Sequence, residues 1–372
     1  MHIDSVSLYR VPLAESTSAT GARLESIFVE LRSGQAVGCG EVCLNVSPTD
    51  CDEWSAGAFA CLRDWLAPAI VGRSIDSGQT LQGRLAPFQG NQRAKSALDV
   101  AWWVLDAAVR EVSLHQLLGG MRSAIPLSCT FGAMDSPDRL LAKIGEAYQH
   151  GYEWVILKFR PGWDINMLRA VRQAFPAEPL AIDCDGLCTL DQQETFYRLE
   201  DFFLRAIEQP LAADDLVGSA MLQSSLHTPL ALDQSVTSLD RVEQAIDLGS
   251  CQMVRIDIGR VGGLTPALAI RGACQQAKIA WSVGGGPCSG VAASANAALA
   301  TCCELPLPVE AYSWIKKPWL MSDDTLLRQR GSDGRAEIQL PDDAPGFGFM
   351  LDIHLLGGHA VERVTIREKN PD

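Results

Sequence analysis

The sequence predicts an α/β fold, a (β/α)8-type barrel preceded by an α+β region. Three observations predict it. From about residue 125, eight short β-like runs alternate with helical segments of roughly 10–15 residues, the texture of repeated βα units. Five of those runs end in an ionisable residue at a near-constant step: Lys158, Asp183, Glu208 and Asp233 lie 25 residues apart, and Asp257 follows 24 later. Ahead of them, residues 1–45 alternate as strands while 55–72 and 93–118 read as helices.

The first region opens on "HIDSVSLYRVPL", whose alternation reads as a strand, and continues into "SIFVELRSGQAVGCGEVC", a hairpin turning at Ser33-Gly34. Two polar loops interrupt it, "AESTSATGAR" near 14–24 and "NVSPTDCDEW" at 45–54. The helix over 93–118 is apolar on much of its surface and is expected to stop at Gly119-Gly120. The barrel runs are "IPLSCTF", "WVILKF", "PLAIDC", "FLRAIEQP", "PLALDQS", "QMVRIDI", "IAWSV" and "LPVEAY". Alternation returns after about 325 in "AEIQL", "FMLDIHLL" and "AVERVTIRE", so the tail is expected to rejoin the N-terminal region.

Composition narrows the function classes. A chain of 372 residues with 47% hydrophobic and 20% charged residues suits a soluble protein with a sizeable core. The formal net charge of -14 argues against nucleic acid as a partner. There is no apolar run of membrane-spanning length, and the start lacks a basic segment followed by an apolar core. The 12 cysteines show no CxxC and no zinc spacing, so they are expected to be reduced thiols of a cytoplasmic protein, mostly in packing roles.

The chemistry lies in the periodic residues. Each closes its run at the C-terminal end, which in a barrel is the active-site face. Asp183, Glu208 and Asp233 supply oxygen only, a donor set for a hard cation, and Mg²⁺ is favoured over zinc. Such an ion could stabilise the enediolate formed when a proton leaves the carbon next to a carboxylate. In "VILKFRPG", Lys158 and Arg160 stand two residues apart and therefore share a strand face. Asp257 faces the same mouth from the sixth run. An ion pair between Arg160 and Asp257 across that mouth is one reading; separate catalytic roles are the other.

With those residues in place, the chain resembles the enolase superfamily, nearest the muconate-lactonising subgroup with its o-succinylbenzoate synthases and N-succinylamino-acid racemases. The resemblance is carried by "IEQPLAADDL" (207–216), "TPLALDQS" (228–235), "GRVGGLTPA" (259–267), "ALDVAWWVLDAA…LHQLLGG" (97–120) and "PGFGFMLD" (345–352). It implies a (β/α)7β TIM-like barrel under an α+β capping domain. The expected divisions are 1–124 and 326–372 for the cap and 125–325 for the barrel. It also implies Mg²⁺, with Mn²⁺ as a substitute, on Asp183, Glu208 and Asp233, and closure of the loops at 14–24 and 45–54 over substrate. Asp185, Gln234, Gly285 and Cys288 are the candidate substrate contacts.

The departures from that pattern set the functional expectation. The family's Lys-x-Lys on the second strand is Lys158-Phe159-Arg160 here, and its strand-six lysine aligns with Asp257. Arginine is a poor base and a good carboxylate clamp. The expectation is therefore a Mg²⁺-dependent enzyme acting on a small carboxylate. It would be a lyase, dehydratase or cycloisomerase rather than a two-base racemase, and a homo-oligomer. Lys158 would be the acid/base, Arg160 a clamp, and Asp257 a second acid/base or the partner of Arg160. The alternatives are o-succinylbenzoate synthase or N-acylamino-acid racemase chemistry through Lys158 alone, or a non-catalytic ligand-binding descendant.

Overall fold

In a computed structural model of the chain, the described residues are 1–14, 23–49, 51–160, 164–286, 288–305, 307–310, 329–330 and 334–368. The expected lid at 14–24 falls mostly outside them, as does the expected boundary at 325/326.

Strands β1 (Ser5–Ala14), β2 (Leu24–Ser33) and β3 (Ala36–Asn45) form an antiparallel sheet. Gly34, at a φ of 57°, turns the β2–β3 hairpin, a conformation glycine takes without a Cβ penalty. One face of the sheet packs Ile27, Val29, Leu31, Val42 and Leu44 against Phe59, Leu62, Leu98, Trp102 and Leu105 of the cap helices. The other face sends Val11, Leu13, Phe28 and Cys39 into a core shared with the barrel. Burial on both faces leaves the first eight residues of β2 buried, the polar Glu25, Ser26 and Glu30 included.

The helix Gln92–Val109 lies on β3, and glycines make the approach possible. A Cβ on Gly38 or Gly40 would collide with the backbone oxygens of Ala101 and Ala97. The single helix expected over 93–118 is in fact two. Glu111 turns through a φ of 56°, and Ser113 with Gln116 forms a capping box that starts a new helix, Leu114–Leu117.

The barrel follows. Its parallel strands are β4 (Ala124–Phe131), β5 (Trp154–Lys158), β6 (Leu180–Asp183), β7 (Ile207–Glu208), β8 (Leu230–Leu232), β9 (Met253–Ile256), β10 (Ala280–Val283) and β11 (Val309–Glu310). Seven fall inside a predicted run, and β4 starts one residue ahead of its own, at Ala124. Neighbours pair in chain order from β4 to β10, and β11 pairs β4, giving a nearly closed barrel. Ile156, Ala181, Ala206, Ala231 and Met253 form one apolar cluster, with one residue from each of five consecutive barrel segments.

Two short strands, β12 (Gln329–Arg330) and β13 (Ala336–Gln339), extend the barrel edge, with β13 antiparallel to β4. Strand β14 (Glu362–Arg367) lies antiparallel to β1 in the cap sheet. The alternation in "FMLDIHLL" misleads. Ile353–His359 is a helix, because the Asp352 side chain accepts from the backbone N–H groups of His354 and Leu355.

Carboxylates lock cap to barrel. Glu41 of β3 accepts from the Ser289 and Ala292 N–H groups at the start of the barrel helix Gly290–Ala300. Asp99 of the long cap helix accepts from the Thr265 N–H at the start of the barrel helix Leu264–Ala277. Each puts negative charge at a helix N-terminus.

Candidate active site

Side chains alternate along a strand, so the residue two beyond each of the clustered apolar residues shares its face. Those residues are Lys158, Asp183, Glu208, Asp233 and Arg255. Two further on stand Arg160, Asp185 and Asp257. Sheet register refines the 25-residue period. Lys158 pairs Asp183, and Asp183 pairs Glu208. Glu208 pairs Ala231, so Asp233 sits two residues further up the barrel. Leu232 pairs Val254, and continuing that register sets Arg255, not Asp257, beside Asp233.

Each of the three candidate metal carboxylates meets a cation of the chain. Lys158 Nζ donates to Asp183 Oδ2 and to Asp185 Oδ1, both at 2.6 Å. Arg255 reaches Glu208 Oε2 at 3.2 Å and Glu310 Oε2 at 3.3 Å. Arg260 holds Asp233 by Oδ1 at 2.9 Å and Oδ2 at 3.2 Å, and its Nη2 lies 3.5 Å from Asp257 Oδ2. Arg93 of the long cap helix completes the chain at 3.1 Å from Asp257.

The expected alternative of an Arg160–Asp257 pair is not what forms. Asp257 is buried between Arg93 and Arg260, and its Oδ1 accepts from the Gly259 and Arg260 N–H groups as the cap of the turn Ile258–Val261. Arg160 is exposed and makes no ion pair among the described residues.

Electrostatics follow from this geometry. Burial would lower the Lys158 ammonium, but Asp183 and Asp185 outweigh it and hold it above its ordinary value. Burial pushes the Glu208 carboxyl well above the usual range. Arg255 opposes that push, and the like charges of Asp183, Asp233 and Glu310 add to it. Burial also acts to raise Asp257, but the two arginines and two backbone donors reverse the sign and keep it below its ordinary value.

Six carboxylates (Asp183, Asp185, Glu208, Asp233, Asp257 and Glu310) face four cations (Lys158, Arg93, Arg255 and Arg260), an excess of two negative charges. All-oxygen donors with that excess fit a divalent hard cation. Among the described residues, however, no three acidic, histidine or cysteine groups stand as a ready ligand cluster. The chain's own cations occupy the oxygens.

A cavity of about 190 Å³ opens between cap and barrel. Val42, Leu44 and Val100 line it from the cap, with Asn45 and Cys51 of the predicted second loop. Asp257, Gly285 and Cys288 line it from the barrel. Arg260, bonded to both Asp233 and Asp257, links that cavity to the carboxylate ring. Asp185 and Gln234 do not line the cavity. Asp185 is held by Lys158, and the Gln234 Oε1 is buried without a hydrogen bond among the described residues. Cys288 is buried, and burial raises its thiol well above the ordinary value, as suits a packing residue. All 12 cysteines are reduced thiols.

Sequence reading missed four residues that build this site: Arg255, Arg260, Arg93 and Gln209. Gln209 follows Glu208 at a φ of 35° and is fully buried. Its Oε1 accepts from the Asp233 and Ser235 N–H groups, and its Nε2 donates to Ser235 Oγ and the Leu211 carbonyl. It thus fixes β7 to the end of β8. A signal for Arg255 was available: in "VRIDI" it precedes Asp257 by two, the same spacing that united Lys158 and Arg160.

Comparison with known proteins agrees with the fold. Residues 139–355 match the family described as enolase C-terminal domain-like. Residues 5–119 match the mandelate racemase / muconate lactonizing enzyme N-terminal domain. An o-succinylbenzoate synthase of Geobacillus kaustophilus is 37% identical over 333 residues, covering 88% of this chain and 86% of that one. An N-succinylamino acid racemase of Thermus thermophilus is 35% identical over 264 residues, covering 71% and 72%. A crystal structure of an enolase superfamily member from Listeria innocua superposes with a TM-score of 0.90 at 26% identity, covering 99% of each chain.

Proposed function

The chain is an enzyme of the enolase superfamily, and from that premise we propose a magnesium-dependent lyase, dehydratase or cycloisomerase that moves the proton of a small carboxylate substrate on the Lys158 side alone. Asp183, Glu208 and Asp233 would hold the metal. When bound, magnesium would supply positive charge to the substrate carboxylate and make the neighbouring C–H more acidic.

The observation that carries this reading is the fate of Asp257. Racemisation needs a proton acceptor on each face of the substrate carbon. Asp257 has both oxygens engaged by two guanidinium groups and two backbone N–H groups, and is held ionised. It positions the cap against the barrel and offers no usable base. Lys158 Nζ, held charged between Asp183 and Asp185, would become the proton carrier on the other side once a metal on Asp183 drew that carboxylate away from it. Arg160, exposed and without an ion pair among the described residues, suits a bidentate grip on a substrate carboxylate. The cavity between cap and barrel would receive the remainder of the substrate.

The test is a library of small carboxylates bearing a β-leaving group, assayed with Mg²⁺ alongside o-succinylbenzoate formation and N-succinylamino-acid racemisation. The reading expects elimination or ring closure that falls by about 10²–10⁴-fold in Lys158→Met. Efficient racemisation would overturn it. Ligand binding without turnover of any member would instead mark a non-catalytic descendant.

A further inference from the structure

We infer that Arg255 is a built-in competitor for the divalent cation: its guanidinium stands in for the metal at Glu208 and sets how tightly the barrel binds it. This rests on the magnesium reading above, and on an arrangement that reading does not require.

Arg255 projects from β9 and is 5% exposed. It reaches Glu208 on β7 on one side and Glu310 on β11 on the other, so a single guanidinium bridges carboxylates two strands away in either direction. Gly284, just after β10, packs against this arginine: a Cβ there would lie 3.4 Å from Arg255 Nε and 3.3 Å from Asp233 Oδ1. A buried carboxylate without a counter-charge is very costly, and Arg255 supplies that charge from within the fold.

The other two cations differ in kind. Lys158 is 31% exposed at its side chain and Arg260 19%, against 6% for Arg255. Both stand nearer solvent and can give way when a ligand enters. Arg255 is enclosed, but Glu310 provides a second carboxylate on which it can remain after leaving Glu208. Two arrangements follow: the guanidinium shared between Glu208 and Glu310, or the guanidinium on Glu310 alone with Glu208 released. Metal binding must drive the first into the second, and the free energy of that move is subtracted from its affinity.

Mn²⁺ binding to the full-length protein, followed by electron paramagnetic resonance and titration calorimetry, tests this without any substrate. Arg255→Met alone strands two buried carboxylates, so the decisive variant is Arg255→Met with Glu310→Gln, and Glu310→Gln alone is the control. The double variant is expected to bind Mn²⁺ at least about tenfold tighter than the parent. Glu310→Gln is expected to bind no tighter than the parent, because Arg255 then keeps Glu208 and loses the carboxylate on which it would stay after leaving it. A chelator should lower the melting temperature of the metal-loaded double variant more than that of the metal-loaded parent. Equal or weaker Mn²⁺ affinity in the double variant overturns the inference while leaving the magnesium reading intact. Absence of Mn²⁺ binding in parent and variants alike overturns both.

Discussion

The guanidinium of Arg93, on the long cap helix, donates to Asp257 Oδ2 at 3.1 Å, on the turn that follows the sixth barrel strand. At the position where the resemblance implies a catalytic lysine, this chain has one end of an ion pair between cap and barrel. Restoring lysine at that position should therefore fail. Asp257→Lys would set an ammonium beside Arg93 and Arg260 and remove the cap of the turn. The expected cost is about 3–5 kcal/mol of stability. Calorimetric melting checks it. Asp257→Asn, which keeps the shape, should cost less.

Arg160 should report on binding rather than on chemistry. It is exposed and has no ion pair among the described residues, so its removal leaves no buried charge behind. Arg160→Met is expected to leave the melting temperature unchanged and to raise KM about tenfold or more, with a smaller fall in kcat. Steady-state kinetics on any substrate found in the library provides the measurement.

Gln209 should matter out of proportion to its distance from the reacting atoms. Gln209→Ala leaves the Asp233 and Ser235 N–H groups buried without their acceptor. The expected loss is about 3 kcal/mol in chemical denaturation. Mn²⁺ affinity should fall as well, because Asp233 loses its anchor. Gln209→Glu keeps the acceptor and should recover part of both, though its second oxygen would face the Leu211 carbonyl.

Asp99 gives a pH dependence with a definite sign. Complete burial raises its carboxyl from 3.8 to about 6, against hydrogen bonds from Thr265 and Gln82 that pull it down. The folded protein keeps this proton between those values and the unfolded chain does not. The group therefore favours folding most below a pH of about 4. That contribution falls by about 3 kcal/mol as the pH rises to about 6. Subtracting the stability profile of Asp99→Asn from that of the parent should isolate this slope, and a flat difference would contradict the assignment.

The barrel was legible because its strands are short apolar runs closed by polar residues at a fixed step, a pattern set by one βα unit. The cap sheet was legible from alternation and from the Gly34 turn. What the sequence concealed came from register and from long-range pairing. The step of 24 to Asp257 looked like the period continuing, but barrel stagger sets Arg255 beside Asp233 and lifts Asp257 beyond it. Arg93 lies 164 residues from its partner, and Gln209 acts through backbone groups that no pattern of side chains discloses. The helix at Ile353–His359 was hidden because Asp352 caps it locally inside an alternating run.

The central claim, that proton transfer occurs on the Lys158 side alone, is tested most directly by incubating each enantiomer of an N-succinylamino acid with the enzyme and Mg²⁺ in D₂O. The account predicts deuterium at the α-carbon of one enantiomer only, lost in Lys158→Met, with no antipode formed. Deuterium entry into both enantiomers, or their interconversion, would contradict it.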